Sequence, residues 1–310
     1  MKKIVLFFTI LILILIYVQS EKRDLNYSFY SWKNSFNIKK QEDKLYIKVL
    51  DINYSNKLEI ISTRFKTIPK DKLSIPVIYI TNKAMKLSFL DELVNKVYKN
   101  LKVLPFKYNE VQFDCDWSIS TRAKYFSFLK KIKNKIDKKL SATIRLHQVK
   151  YYNKTGVPPV DYGLLMYYNM SDIANYDTKN SILDNFIAKK YHFNFEKYPL
   201  RLKLALPLYS QAIQFRDKKA IDIFEGVKKQ DFSKNFKIVK RNYYKVVKSF
   251  YFKGRYIYKG DVFRFEDSNL DDLKIALNDF FDIAKNPFKE IIFYTIKYKN
   301  KYNLKKLLKG

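Results

Sequence analysis

Two carboxylates stand two residues apart, Asp114 and Asp116, in the stretch "YNEVQFDCDWSISTRAKYFSFLKKI" that begins at Tyr108. It reads as an apolar strand running into an amphipathic helix, with both acids and Trp117 at the hinge. Side chains two apart on a strand share a face, so both aspartates are expected on one side. Two carboxyl groups this close in a partly dry pocket resist double ionisation, and one keeps its proton toward neutral pH. Such an acid can donate to a leaving oxygen while its neighbour stays anionic. The structural alternative has one Asp capping the helix and the other paired with a cation. "DWSISTR", however, has Ser and Thr enough for the cap. Cys115, the single cysteine, alternates with the acids and is expected on the opposite face as a small buried hydrophobe.

More polar groups fall at the ends of other apolar runs. "ATIRLHQVK" carries Arg145 and His147, again two apart, and "MYYNMSD" offers Tyr167, Tyr168, Asn169 and then Asp172. "ALPLYSQ" offers Tyr209 and Gln211, while Trp32 and Lys33 belong to the first run and Asp51 to the second. Aromatic rings beside amides and carboxylates suit a sugar, whose C–H face stacks and whose hydroxyls take hydrogen bonds. No cofactor or metal is expected. There is no Gly-rich phosphate loop and no Cys/His cluster at zinc spacing. "DCD" is too sparse for a calcium loop, and "YSQ" is no nucleophile elbow.

The elements that must position these residues alternate strand and helix. Eight core-strand candidates centre near Tyr30, Val49, Ile78, Phe113, Ile144, Met166, Leu206 and Phe293. Helical patterns such as "SFLDELVNKVYKNL" and "LDDLKIALNDFFDIAK" fall between them. Parallel βα units are the consequence, and eight of them predict an α/β fold of the (β/α)8 TIM-barrel type. A small β insertion is expected near residues 236–265, and a doubly wound open sheet is the alternative. In a barrel the chemistry gathers at the C-terminal ends of the strands, where the acids sit.

The chain has 310 residues and a formal charge of +31, from 61 basic and 30 acidic side chains. Nine of the basic residues are Arg and the rest Lys, spread along the whole chain. That is the bias of an AT-rich coding sequence, and phosphate readers lean on Arg forks. Specific nucleic-acid binding is not expected; attraction to an anionic envelope surface is. "MKK" precedes an apolar run, Ile4–Val18, and then "QSEKRD". Residues 1–20 therefore read as a secretory signal or an N-terminal membrane anchor, and 21–310 as one exported domain, periplasmic, extracellular or tethered. With one cysteine that domain has no intramolecular disulfide.

With these residues in place the chain resembles the (β/α)8 glycoside hydrolases, distantly those of chitinase type, which carry D-G-x-D-x-D-x-E on strand four and M-x-Y-D on strand six. "VQFDCDWS" matches at Asp114 and Asp116, with Val111 and Gln112 for Asp-Gly and Ser118 for the acid Glu. "MYYN" matches at Met166 and Tyr168, with Asn169 for Asp. The chain also resembles a group of exported bacterial proteins with glycoside-hydrolase-like barrels, which supplies no substrate. The resemblance implies a hydrolase acting on O-glycosidic bonds of a carbohydrate polymer or oligosaccharide. Shifted by two, the motif makes Asp116 the general acid, with Asp114 orienting it and Tyr168 stabilising the charged sugar. Asn169 would assist Tyr168; Arg145, His147, Tyr209 and Gln211 would bind substrate, and Trp117 or Trp32 would stack. With no carboxylate at the end of strand seven, substrate-assisted attack or inversion with Asp51 or Asp172 as base is expected. A catalytically silent barrel that binds envelope glycan or a protein partner is the rival, supported by Ser118.

Overall fold

A computed structural model describes residues 24–308. Eight parallel strands close into a ring: β1 (Asn26–Ser31), β2 (Leu45–Tyr54), β4 (Ser74–Ile80), β5 (Glu110–Asp114), β6 (Lys139–Arg145), β7 (Tyr162–Met166), β8 (Leu202–Pro207) and β16 (Glu290–Tyr294). β1 pairs with both β2 and β16, so the eight strands close on themselves and the open-sheet alternative falls away. Each of the eight predicted strand centres lies in one ring strand. A further strand, β3 (Leu58–Ser62), runs antiparallel along the outside of β2. The segment 1–20 lies outside the described residues. Among the described residues no helix is long and apolar enough to cross a membrane.

Alternation along each strand sorts the side chains. Val111, Phe113 and Cys115 pack outward into the large core between ring and helices, while Glu110, Gln112 and Asp114 take the other parity and point into the ring. The outer core is closed by helices such as Leu90–Lys102, whose Leu93, Val94, Val97 and Leu101 form its buried stripe. Asp91 and Glu92 in its first turn and Lys99 and Lys102 in its last complement the helix dipole. Inside the ring, Tyr46, Ile75, Val77, Leu164, Ala205 and Ile292 fill the middle.

The inserted β region is larger than predicted and starts sooner. It opens directly after β8 with β9 (Ser210–Arg216) and β10 (Lys219–Glu225), and continues through β11 (Phe236–Lys240) and β12 (Tyr243–Val246). β13 (Phe250–Phe252), β14 (Arg255–Ile257) and β15 (Val262–Asp267) complete it. Five of these form an antiparallel sheet in the order β10-β9-β15-β12-β11, and β13 pairs with β14. β9 and β10 turn through Asp217 and Lys218, both with positive φ (49° and 62°), as a two-residue hairpin requires. Fully buried Arg264 fastens the sheet to the loop after β7, donating to Glu266 (2.7 Å) and to the Ile173 carbonyl (2.8 Å).

Candidate active site

A cavity of about 380 Å³ opens at the C-terminal end of the ring. Its floor is Asp114, the last residue of β5; Tyr30, Tyr168, Tyr209 and Tyr294 wall it, and Trp32 stands at its edge. Asp114 accepts from Thr143 Oγ1 at 2.7 Å. Burial raises its carboxyl from the ordinary 3.8 to about 6, with the Thr143 hydrogen bond lowering it, Asp116 raising it, and Arg145 and Lys48 lowering it. This group holds a proton into the mildly acidic range.

Asp116 is placed differently. Beyond the strand end its carboxylate is half exposed and meets Arg145 in a fork, Nε to Oδ1 at 2.7 Å and Nη2 to Oδ2 at 2.8 Å. Both oxygens are taken by the guanidinium, and Asp116 is not among the residues lining the cavity. Arg145 ends β6, and the chain then turns into the short helix Leu146–Lys150. His147 is on that helix, so it does not share a strand face with Arg145. It is exposed and borders a recess of about 80 Å³ with Arg145, Tyr168 and Asn169. Partial desolvation of its ring by these neighbours lowers the pKa of its imidazole, with Asp116 raising it and Arg145 lowering it.

Tyr168 is buried, stacks on Tyr294 (centroids 5.7 Å apart), and its hydroxyl has no hydrogen-bond partner among the described residues. Asn169 adopts φ 57° and accepts from the Tyr209 hydroxyl at 2.6 Å. Gln211 also lines the cavity, but its amide nitrogen is committed to Glu266 (2.8 Å) and Ser181 (3.2 Å). Asp51 lines it and pairs with Lys48 at 2.8 Å. Trp32 is 40% exposed, edge-on to Tyr30 and Tyr294, with the Lys48 ammonium over its ring at 5.7 Å.

Trp117 corrects its expected role. It is 2% exposed, outside the ring, stacked on Tyr125 at 5.3 Å, and its Nε1 donates to the Thr155 carbonyl at 2.9 Å. The physical reason is parity: the alternation that turns Asp114 inward turns Cys115 and Trp117 outward. No sugar can stack on it. Asp172 caps an exposed turn, accepting from Ala174 N at 2.9 Å, and does not line the cavity. Ser118, at the chitinase-type acid position, hydrogen-bonds with Asn82, Ser120 and Thr121 at the start of the following helix.

One carboxylate was not anticipated. Glu225, the last residue of β10, lines the cavity from the inserted sheet. It accepts from the Tyr298 hydroxyl at 2.6 Å and Lys297 at 3.3 Å. The neighbouring Gly226 has φ 75°, and a Cβ there would meet the Tyr298 oxygen at 2.8 Å. The signal in the sequence was the alternation of "SQAIQFRDKKAIDIFEG" about a central "DKK". Among the described residues no group of three His, Cys, Asp or Glu could hold a metal ion.

No family model and no curated protein matches the sequence. Solved structures do. A chitinase from Chromobacterium violaceum superposes with a TM-score of 0.52 at 11% identity, over 88% of this chain and 95% of that one. The spore cortex-lytic enzyme SleL of Bacillus cereus gives 0.51 at 12% identity, over 88% and 72%. The ring, the helices around it and these neighbours together give the chain a (β/α)8 barrel fold, the fold it shares with these two enzymes.

Proposed function

We propose that this chain is an exported hydrolase of O-glycosidic bonds, with Asp114 as its proton donor. The observation that carries the reading is a carboxyl raised to about 6 by burial, on the floor of a cavity walled by tyrosines. A protonated Asp114 would give its proton to the leaving glycosidic oxygen as the bond to the anomeric carbon breaks. This exchanges the roles implied by the family motif. Asp116 becomes a positioning residue that aims Arg145, and the buried Tyr168 hydroxyl is free to donate to the sugar. Asp51 and Glu225, carboxylates on the cavity wall, are the candidates for activating water if the reaction inverts. Trp32, Tyr209 and Asn169 would hold the sugar, and His147 would border a neighbouring subsite. Export rests on the sequence of residues 1–20, and a glycan substrate fits the two neighbours, a chitinase and a spore cortex-lytic enzyme.

A specific observation supports a second reading, a barrel that binds glycan without cleaving it: the chitinase-type acid position is a serine engaged at a helix start. Hydrolysis of cell-wall and amino-sugar polymers by the full chain separates the two. Asp114→Asn is expected to lower turnover by roughly 10²–10⁴-fold, the usual weight of a general acid. Asp116→Asn should cost less, on the order of tenfold, by releasing Arg145. The wild-type rate should fall as pH rises through about 6, where Asp114 loses its proton. Full activity of Asp114→Asn refutes the assignment, and glycan binding without turnover favours the silent barrel.

A further inference from the structure

We infer that the foot of the barrel, beneath β4, β5 and β6, docks on an anionic lipid bilayer. The loops entering these three strands are stitched together: Lys72 N donates to the Lys107 carbonyl (3.3 Å), Lys107 N to Asp71 Oδ1 (2.8 Å), and Lys139 N to the Asn109 carbonyl (3.1 Å). Lys70, Lys72, Lys107, Lys135, Lys138 and Lys139 are thereby gathered into one arc, and all six are exposed. Among the described residues none of the six closes an ion pair, whereas the adjoining Lys131 and Lys133 are taken by Asp91 and Asp161. Asp71 and Asp137 are the carboxylates within the arc, so its balance is strongly positive. A shallow depression of about 630 Å³ runs along it, lined by Lys133, Lys135, Lys138 and Lys139 with the amides of Asn109 and Asn134.

The other half of the foot, beneath β1, β2 and β16, is mixed in charge: exposed Lys39, Lys40, Lys285 and Lys289 share it with Asp24, Glu42, Asp43 and Glu290, where Asp43 pairs with Lys299 and Glu290 with Lys44. The arc differs in that its six lysines outnumber two carboxylates.

A further observation selects lipid over a soluble polyanion. Apolar side chains stand exposed in the same loops, Val103 at 76% and Ile68 at 43%. A dissolved polymer offers them nothing, while the interfacial region of a bilayer accepts apolar groups flanked by lysines. A bilayer against the arc leaves the Asp114 cavity facing the opposite side, open to a polymer above the membrane.

The test is sedimentation of the full chain with vesicles of phosphatidylcholine alone and of phosphatidylcholine mixed with phosphatidylglycerol. The triple variant Lys107→Glu/Lys135→Glu/Lys138→Glu is expected to lose roughly tenfold or more of its partitioning to the anionic vesicles. A control triple on the inserted sheet, Lys237→Glu/Lys245→Glu/Lys248→Glu, should lose less than about twofold. Val103→Ser, which leaves the charge alone, should weaken binding roughly threefold. All these positions are exposed, and matching circular dichroism and melting curves establish that the variants fold. Equal losses in the two triples, or no loss in the first, overturn the inference. So does binding to soluble polyphosphate with no preference for anionic vesicles, which would reassign the arc to a wall polymer.

Discussion

Both ends of the barrel interior bury ionisable groups, and they treat them in opposite ways. At the foot, Lys203 pairs with Glu290 at 2.8 Å and donates to the hydroxyls of Tyr46 (3.1 Å) and Tyr162 (3.0 Å). Glu290 also takes Lys44 (3.0 Å) and Ser28 (2.9 Å), and Glu110 takes Ser141 (2.8 Å) and Tyr162. Burial alone would raise the Glu290 carboxyl, yet Lys203 and Lys44 hold it below the usual range. At the mouth, among the described residues, Asp114 has a hydroxyl for a partner and no cation in direct contact, and the Tyr168 hydroxyl has no partner. The layer between is transitional: Gln112 accepts from Tyr30 at 2.5 Å while its amide nitrogen has no partner among the described residues. A buried charge whose partners are complete holds a fold together. One left short of partners stores a proton, and the fold carries its cost.

Breaking the foot should have the largest effect on stability. Lys203→Met leaves Glu290 buried with one cation fewer, and removing one member of a buried pair typically costs about 3–5 kcal/mol. Urea unfolding of the full chain is expected to show a loss of this size. A change under about 1 kcal/mol would mean that the network is not a structural clamp.

The mouth should respond with the opposite sign. The native Asp114 carboxyl titrates near 6 against an ordinary 3.8, so the folded chain holds this proton more tightly than the unfolded one. Its contribution is fully present below the unfolded value and is lost as pH rises through about 6. At roughly 1.4 kcal/mol per pH unit the loss approaches about 3 kcal/mol, an upper figure because the residue keeps some contact with solvent. Asp114→Asn has no proton to lose. It should therefore match the wild type near pH 4 and exceed it in stability near pH 8, while losing activity at both. Equal stability at the two pH values would show Asp114 to be an ordinary carboxylate.

The ring was legible because eight apolar runs separated by amphipathic helices leave few other closures, and every predicted strand centre fell in it. Pairing was not legible. Nothing local says that Arg145 reaches across from β6 to fork Asp116, or that Asp114 faces Thr143. The error at Trp117 was avoidable, since the parity that turned Asp114 inward assigns Trp117 to the outside with Cys115. His147 shows a different limit: spacing two carries meaning only while the strand lasts, and β6 ends at Arg145. Glu225 was hidden because its hairpin turns on Asp217-Lys218 and not on the Asn-Gly or Asp-Gly pairs that announce such a turn.

Tyr168 gives the finest separation of mouth from foot. Its hydroxyl is buried without a partner among the described residues, a costly arrangement for the folded protein unless a substrate hydroxyl completes it. Tyr168→Phe keeps the ring that stacks on Tyr294 and removes only that oxygen. Stability is therefore expected to hold or rise slightly, whereas glycan turnover should fall about tenfold for the lost hydrogen bond to sugar. At the foot the same change, Tyr162→Phe, takes an acceptor from Lys203 and a donor from Glu110 and should destabilise by about 1–3 kcal/mol with no direct effect on glycan. If the two substitutions behaved alike in both measurements, the distinction between a completed network and a waiting one would not hold. Turnover that follows Tyr168 alone would tie the unpartnered hydroxyl to substrate.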